Sequence, residues 1–134
     1  MKELDAQRLI IEVVRDHGGA AFKLSNRFLV GVSDLLIKVP FLPAALIEVK
    51  LDQLPVKNTF VRLAVTVPQQ RFLGQFERAG MAAGIASIVV RDQLFGMFIG
   101  NQITVPLESY FLGKKSERRE LIWNVLKTWL EDQV

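Results

Sequence analysis

Residues 31–50, GVSDLLIKVPFLPAALIEVK, constrain this chain more than any other segment. Two apolar runs flank PFLP, a turn with two prolines, and so read as neighbouring strands. Side chains alternate across a strand, which puts Glu48 and Lys50 on one face and Val49 on the other. An acid and a base in an otherwise apolar strand are expensive to bury without partners. On their own they read as a surface ion pair on an edge strand, which is worth little. Asp34, at the head of the preceding run, changes that balance, because antiparallel pairing around the turn can set it beside Glu48. Two carboxylates held that close repel, and one pKa rises unless a cation lies between them. Hard divalent ions take oxygen ligands, and magnesium uses one or two carboxylates with waters and substrate phosphate. A lysine beside such an ion can orient or activate a water, or neutralise charge at a scissile phosphate.

The remaining chain reads as alternating helices and strands. Residues 3–17 have Leu9, Ile10, Val13 and Val14 at helical spacing, and Gly18–Gly19 then stops the helix. AFKLS (21–25) and FLVGVSDLLIKV (28–39, interrupted at Gly31) read as strands, as does AALIEVKL (44–51). Residues 52–67 read as a loop in which FVRLAV is a strand or a flap. A helix over 68–80 has proline in its first turn and an apolar stripe of Phe72, Leu73 and Phe76. ASIVVRD (86–92) is a buried strand, with FGMFIG (95–100) and QITVPL (102–107) following as a hairpin. A helix over 117–133 buries Leu121, Ile122, Val125, Leu126 and Leu130. This order predicts an α/β fold, a mixed central sheet flanked by helices. A single domain over 1–134 is expected, with the motif-bearing core at about 3–90 and strands and helix over 95–133.

Composition narrows the chemistry. Half of the 134 residues are hydrophobic, so a core needs no metal or disulfide staples. The absence of cysteine excludes thiolate zinc sites and a thiol nucleophile. A net charge of +3 is compatible with nucleic acid without demanding it. No secretory segment or membrane span is visible, so a soluble, cytoplasmic protein is expected. His17, the only histidine, suits a helix C-terminus better than catalysis. Phosphate-binding glycine loops and a nucleophile-elbow serine are missing.

The arrangement of Asp34 with Glu48-Val49-Lys50 resembles the PD-(D/E)xK nuclease core, an Asp on one strand and Glu-x-Lys on the next. Within that superfamily the chain is most similar to the VRR-NUC domains and the archaeal Holliday-junction resolvases. Their G-x-P-D-L motif stands here as Gly31-Val32-Ser33-Asp34-Leu35, with serine for proline. A Gln opens the helix after the core in these families. Counting from Pro68 selects Gln70 and counting from Thr66 selects Gln69; Gln70 is preferred. The family acid from the first helix matches Glu3 in Glu3-Leu4-Asp5-Ala6-Gln7. At about 100° per residue, Glu3 falls in the arc of the apolar stripe while Glu12 points away.

The resemblance implies a restriction-endonuclease-like core and a metal-dependent DNA endonuclease that is structure-selective, acting on Holliday junctions or other branched or duplex DNA; the alternatives are a sequence-specific restriction or homing endonuclease, or a non-catalytic DNA-binding module on the same fold. Glu3, Asp34, Glu48 and the Val49 carbonyl would bind Mg2+, with Mn2+ able to substitute. Asp34, Glu48, Lys50 and Gln70 would form the catalytic set. Arg27, Lys57, Arg62 and Arg71 are candidate phosphate contacts. A homodimer without membrane association is expected, and a phage-encoded origin is compatible with the family.

Overall fold

A computed structural model describes residues 1–24 and 31–134. Helix α1 (Glu3–Asp16) leads to strands β1 (Ala20–Lys23), β2 (Leu35–Lys38) and β3 (Ala45–Gln53). Strand β4 (Phe60–Arg62) and helix α2 (Val67–Arg78) precede β5 (Ala82–Arg91) and β6 (Leu94–Gly100). The chain closes with β7 (Thr104–Pro106), β8 (Phe111–Lys114) and helix α3 (Arg118–Glu131).

Six strands form one mixed sheet in the order β1-β2-β3-β5-β6-β8. Only β3 and β5 are parallel, because the crossover through α2 returns the chain to the same end of the sheet. This central pair is buried on both faces, as its near-continuous apolar sequence requires. One face carries Leu35, Ile37, Ile47, Val49, Ile88 and Met97 and is packed with the apolar stripes of α1 and α3. The other face carries Leu46, Ala83, Ile85 and Val89 and is covered by Leu73 of α2, Val61 of β4 and Val105 of β7. Glu48 and Lys50 belong to this second face.

Several sequence expectations shift. The run 28–39 yields strand only over Leu35–Lys38, so Asp34 stands just before β2 rather than within it; residues 25–30 lie outside the described residues. QITVPL does not pair with β6. Its β7 pairs with β4 in a separate two-stranded sheet, while β6 forms the hairpin with β5. Gly113 and Lys114 end β8, an edge strand pairing with β6 that the sequence reading does not place. In α2 only Leu73 of the expected stripe is buried. FGMFIG is core, since Phe95 and Met97 are fully buried. Leu121 is half-buried while the other four expected positions of α3 are buried. His17 stacks on Trp123 with ring centroids 3.8 Å apart.

Candidate active site

Strand register sets the first element of the site. Leu35 pairs with Ile47 and Leu36 with Leu46, so the next row brings Asp34 opposite Glu48. β2 has not yet begun there. The Asp34 carboxylate takes the place of a backbone partner, with Oδ2 accepting from the Val49 N–H at 2.8 Å. N–H and C=O of one strand residue point to the same side, so the Val49 carbonyl faces the same gap.

Glu48 is 2% exposed. Its Oε1 accepts from Gln69 Nε2 at 3.3 Å, and its buried Oε2 has no partner among the described residues. Burial pushes the Glu48 carboxyl up to about 9. The adjacent Asp34 carboxylate adds to the rise, Lys50 opposes it, and Glu3 adds a smaller push. Two ionised carboxylates are both acceptors. The Asp34–Glu48 pair is therefore satisfied only by a shared proton or by a cation.

Gln69 is held by its own helix start. Thr66 caps α2: its Oγ1 accepts from the Gln69 N–H at 3.3 Å, and Gln69 Oε1 accepts from the Thr66 N–H at 2.9 Å. This capping box commits the amide oxygen and leaves the amide NH2 for Glu48. Gln70, preferred from sequence, donates instead to the Val65 carbonyl at 3.4 Å and faces away. Gly31 permits the arrangement. Its φ is +87°, and a Cβ there would stand 2.4 Å from the Pro68 carbonyl carbon and 2.8 Å from the Gln69 nitrogen. The glycine of the Gly31-Val32-Ser33-Asp34 motif thus makes room for the helix that delivers Gln69.

Lys50 is half-buried on the same face, opposite Ser87 of β5 in the parallel ladder. Beyond it lies a polar group that the sequence did not single out. Ser87 Oγ and Tyr110 OH are 2.6 Å apart and buried. Burial raises the Asp52 carboxyl, with Lys50 opposing. Burial also raises the Tyr110 phenol; its Ser87 bond lowers it and Asp52 raises it further. The signal for Asp52 was available, since Glu48, Lys50 and Asp52 recur with period two. Ser87 and Tyr110 needed the β3–β5 register.

The other candidates are more dispersed. Glu3, first residue of α1, is exposed and acts on Glu48 through its charge. Among the described residues no three Asp, Glu or His side chains form a ready-made metal cage. Glu12 is committed elsewhere, to Arg119 at 2.8 Å. Lys57, Arg62 and Arg71 are exposed on the β3–β4 connection, β4 and α2. Arg27 lies outside the described residues. No described helix is long and apolar enough to cross a membrane.

The donor set fits a hard divalent cation. It offers two adjacent carboxylates, one with an orphaned buried oxygen, and a carbonyl on the same side. Magnesium takes this many protein oxygens and completes its shell with water.

Sheet order and flanking helices are those of a restriction-endonuclease-like fold. Within that fold the chain is similar to the solved structure of Hjc, a Holliday junction resolvase from the archaeal hyperthermophile Archaeoglobus fulgidus. The TM-score is 0.50 at 18% identity, over 93% of this chain and 98% of Hjc. No protein-family model matches the chain, and no curated protein does.

Proposed function

We propose that this protein is a metal-dependent endodeoxyribonuclease that hydrolyses phosphodiester bonds in branched DNA. The carrying observation is buried Glu48 beside half-buried Asp34, a carboxylate pair that a cation would satisfy, with Lys50 next to it on the same face. Asp34, Glu48 and the Val49 carbonyl would hold Mg2+ or Mn2+, with Glu3 contributing charge from α1. When bound, such an ion acidifies water and stabilises charge on the phosphate.

The chain's own groups have separate tasks. Gln69 fixes one oxygen of Glu48, so the carboxylate presents the other to the cation. The Val49 N–H orients Asp34 in the same way. Lys50 supplies an ammonium for the attacking water or for the charge that develops on the phosphate. Lys57, Arg62 and Arg71 contact the DNA backbone, which positions the duplex without reading its sequence. A homodimer would offer two such sites to the two strands of a junction. The exposed Phe111 and Leu112 on edge strand β8 supply apolar surface for that pairing.

The test uses labelled four-way junction, flap, single-stranded and linear duplex DNA with Mg2+ or Mn2+. Junction cleavage that disappears in Glu48→Ala and Lys50→Ala supports the proposal. Binding of all four DNAs with no metal-dependent cutting overturns the catalytic assignment.

A further inference from the structure

Three buried side-chain atoms among the described residues have no hydrogen-bond partner: Glu48 Oε2, Ser33 Oγ and Gln7 Oε1. Buried polar atoms are nearly always paired, and each exception needs a cause. Glu48 belongs to the carboxylate pair, and Ser33 immediately precedes Asp34. Gln7 is 7% exposed and stands on the buried stripe of α1, one turn after Glu3.

The packing of α1 sets where Gln7 lies. The helix end meets the far end of β2: a Cβ on Gly18 would stand 3.8 Å from Pro40 Cγ, and one on Gly19 2.6 Å from the Lys38 carbonyl oxygen. α1 and β2 run in the same direction, since each is antiparallel to β1 or leads into it by a reversal. Going back from Gly18 to Gln7 covers about 16 Å of helix. Going back from Lys38 to Ser33 covers about 16 Å of extended chain. By this count Gln7 and Ser33 come to about the same level, and Ser33 immediately precedes the residue whose carboxylate meets the Val49 N–H. A hydroxyl donates where an amide oxygen can only accept.

We propose that Gln7 is a positioning residue of the metal site. Its Oε1 and the Ser33 hydroxyl share one ordered water that joins α1 to the Asp34 segment and sets Glu3 beside the Asp34–Glu48 pair. This rests on the nuclease reading above. A water with two or more polar partners is a stable part of an interior, and partners behind the first shell tune metal affinity.

The experiment measures Mn2+ binding by calorimetry and thermal unfolding without metal, for wild type, Gln7→Met, Ser33→Ala and the double variant. Gln7→Met replaces the orphaned acceptor by an apolar chain of similar shape. Without metal, the double variant, apolar at both positions, is expected to melt closer to wild type than either single variant, while Mn2+ affinity in Gln7→Met falls about tenfold. Ser33→Ala weakens Mn2+ similarly, and the double variant is no weaker than either single one. Should Gln7→Met fail to fold, Ser33→Ala carries the affinity test alone. Wild-type Mn2+ affinity in the single variants overturns the inference, and so does an additive double variant. A wild-type protein that binds no Mn2+ overturns the nuclease reading and this inference with it.

Discussion

Gln69 reaches Glu48 with its amide nitrogen, at 3.3 Å, because its amide oxygen is already bound to the Thr66 N–H. Helix capping and site geometry are thus one structure. Gln69→Ala should lower cleavage about 10- to 100-fold, the usual effect of losing a group that orients a ligand. Gln70→Ala should leave the rate within about twofold, since Gln70 meets only the Val65 carbonyl. Single-turnover rates on a junction substrate compare the two. Equal losses would show that the Glu48 contact is unimportant.

Lys50→Ala should reduce kcat about 100- to 1,000-fold, the range for removing one preorganised group that stabilises transition-state charge. Mn2+ affinity should stay close to wild type, because the ammonium is not a ligand. Calorimetry beside kinetics separates the two roles. A large loss of metal binding would place Lys50 in holding the site together instead.

The Glu48 carboxyl has a direct consequence for stability. Its ordinary value is 4.5 and its folded value about 9, so between these the folded state holds a proton that the unfolded state releases. Stability then falls as pH rises through this window. Below about pH 4.5 the penalty is absent, and above about pH 9 it is complete. Glu48→Gln should flatten the melting temperature from pH 5 to 9 and exceed wild type at pH 8 without metal. Saturating Mg2+ should flatten the wild-type profile too, by giving the ionised pair its cation. Scanning calorimetry at several pH values tests this; parallel profiles for wild type and Glu48→Gln would contradict it.

Gly31→Ala should destabilise the fold. The left-handed backbone alone costs about 1–3 kcal/mol for a residue with a side chain. The added carbon must also displace the start of α2, given its 2.4 Å approach to Pro68. Cleavage should fall with stability, because the same displacement withdraws Gln69. Urea unfolding and activity measured on one preparation show whether the two losses travel together.

Phe41 has φ +66° and its side chain is fully exposed in the β2–β3 turn. Asparagine tolerates that conformation better than a bulky residue. Phe41→Asn should therefore stabilise the metal-free protein by about 0.5–1 kcal/mol, within the range of backbone-compatible turn changes. A drop in urea midpoint would show that the ring has a contact worth more than the strain.

Alternation in IEVK and the prolines of PFLP were enough to place Glu48, Lys50 and Asp34 together, because period two and a short turn fix an antiparallel row. The same rules leave Gln69 and Gln70 open, since they differ by one count along a helix; the Thr66 cap is what turns Gln69, and not Gln70, to Glu48. β8 escaped notice because four residues ending in glycine and lysine carry no alternating pattern. The partner of β7 is not legible in the sequence, because short apolar strands do not encode whom they pair with. Glu3 lies on the core-facing arc by angle yet is exposed, since it is the first residue of α1 and the stripe continues past the buried surface. Gln7 is legible as a polar residue on an apolar stripe, and its lack of a partner among the described residues gives that position its meaning.

The bond from Val49 to Asp34 ties the proposed metal site to strand alignment. A slip of one residue between β2 and β3 would turn Glu48 to the α1 face and take the Val49 N–H from its carboxylate. A lineage that abandoned cutting but kept the fold would still need an acceptor at position 34. Asn or Ser could succeed Asp34 there where Ala could not, so if the proposed chemistry were lost, a descendant would still keep a residue at position 34 for alignment alone.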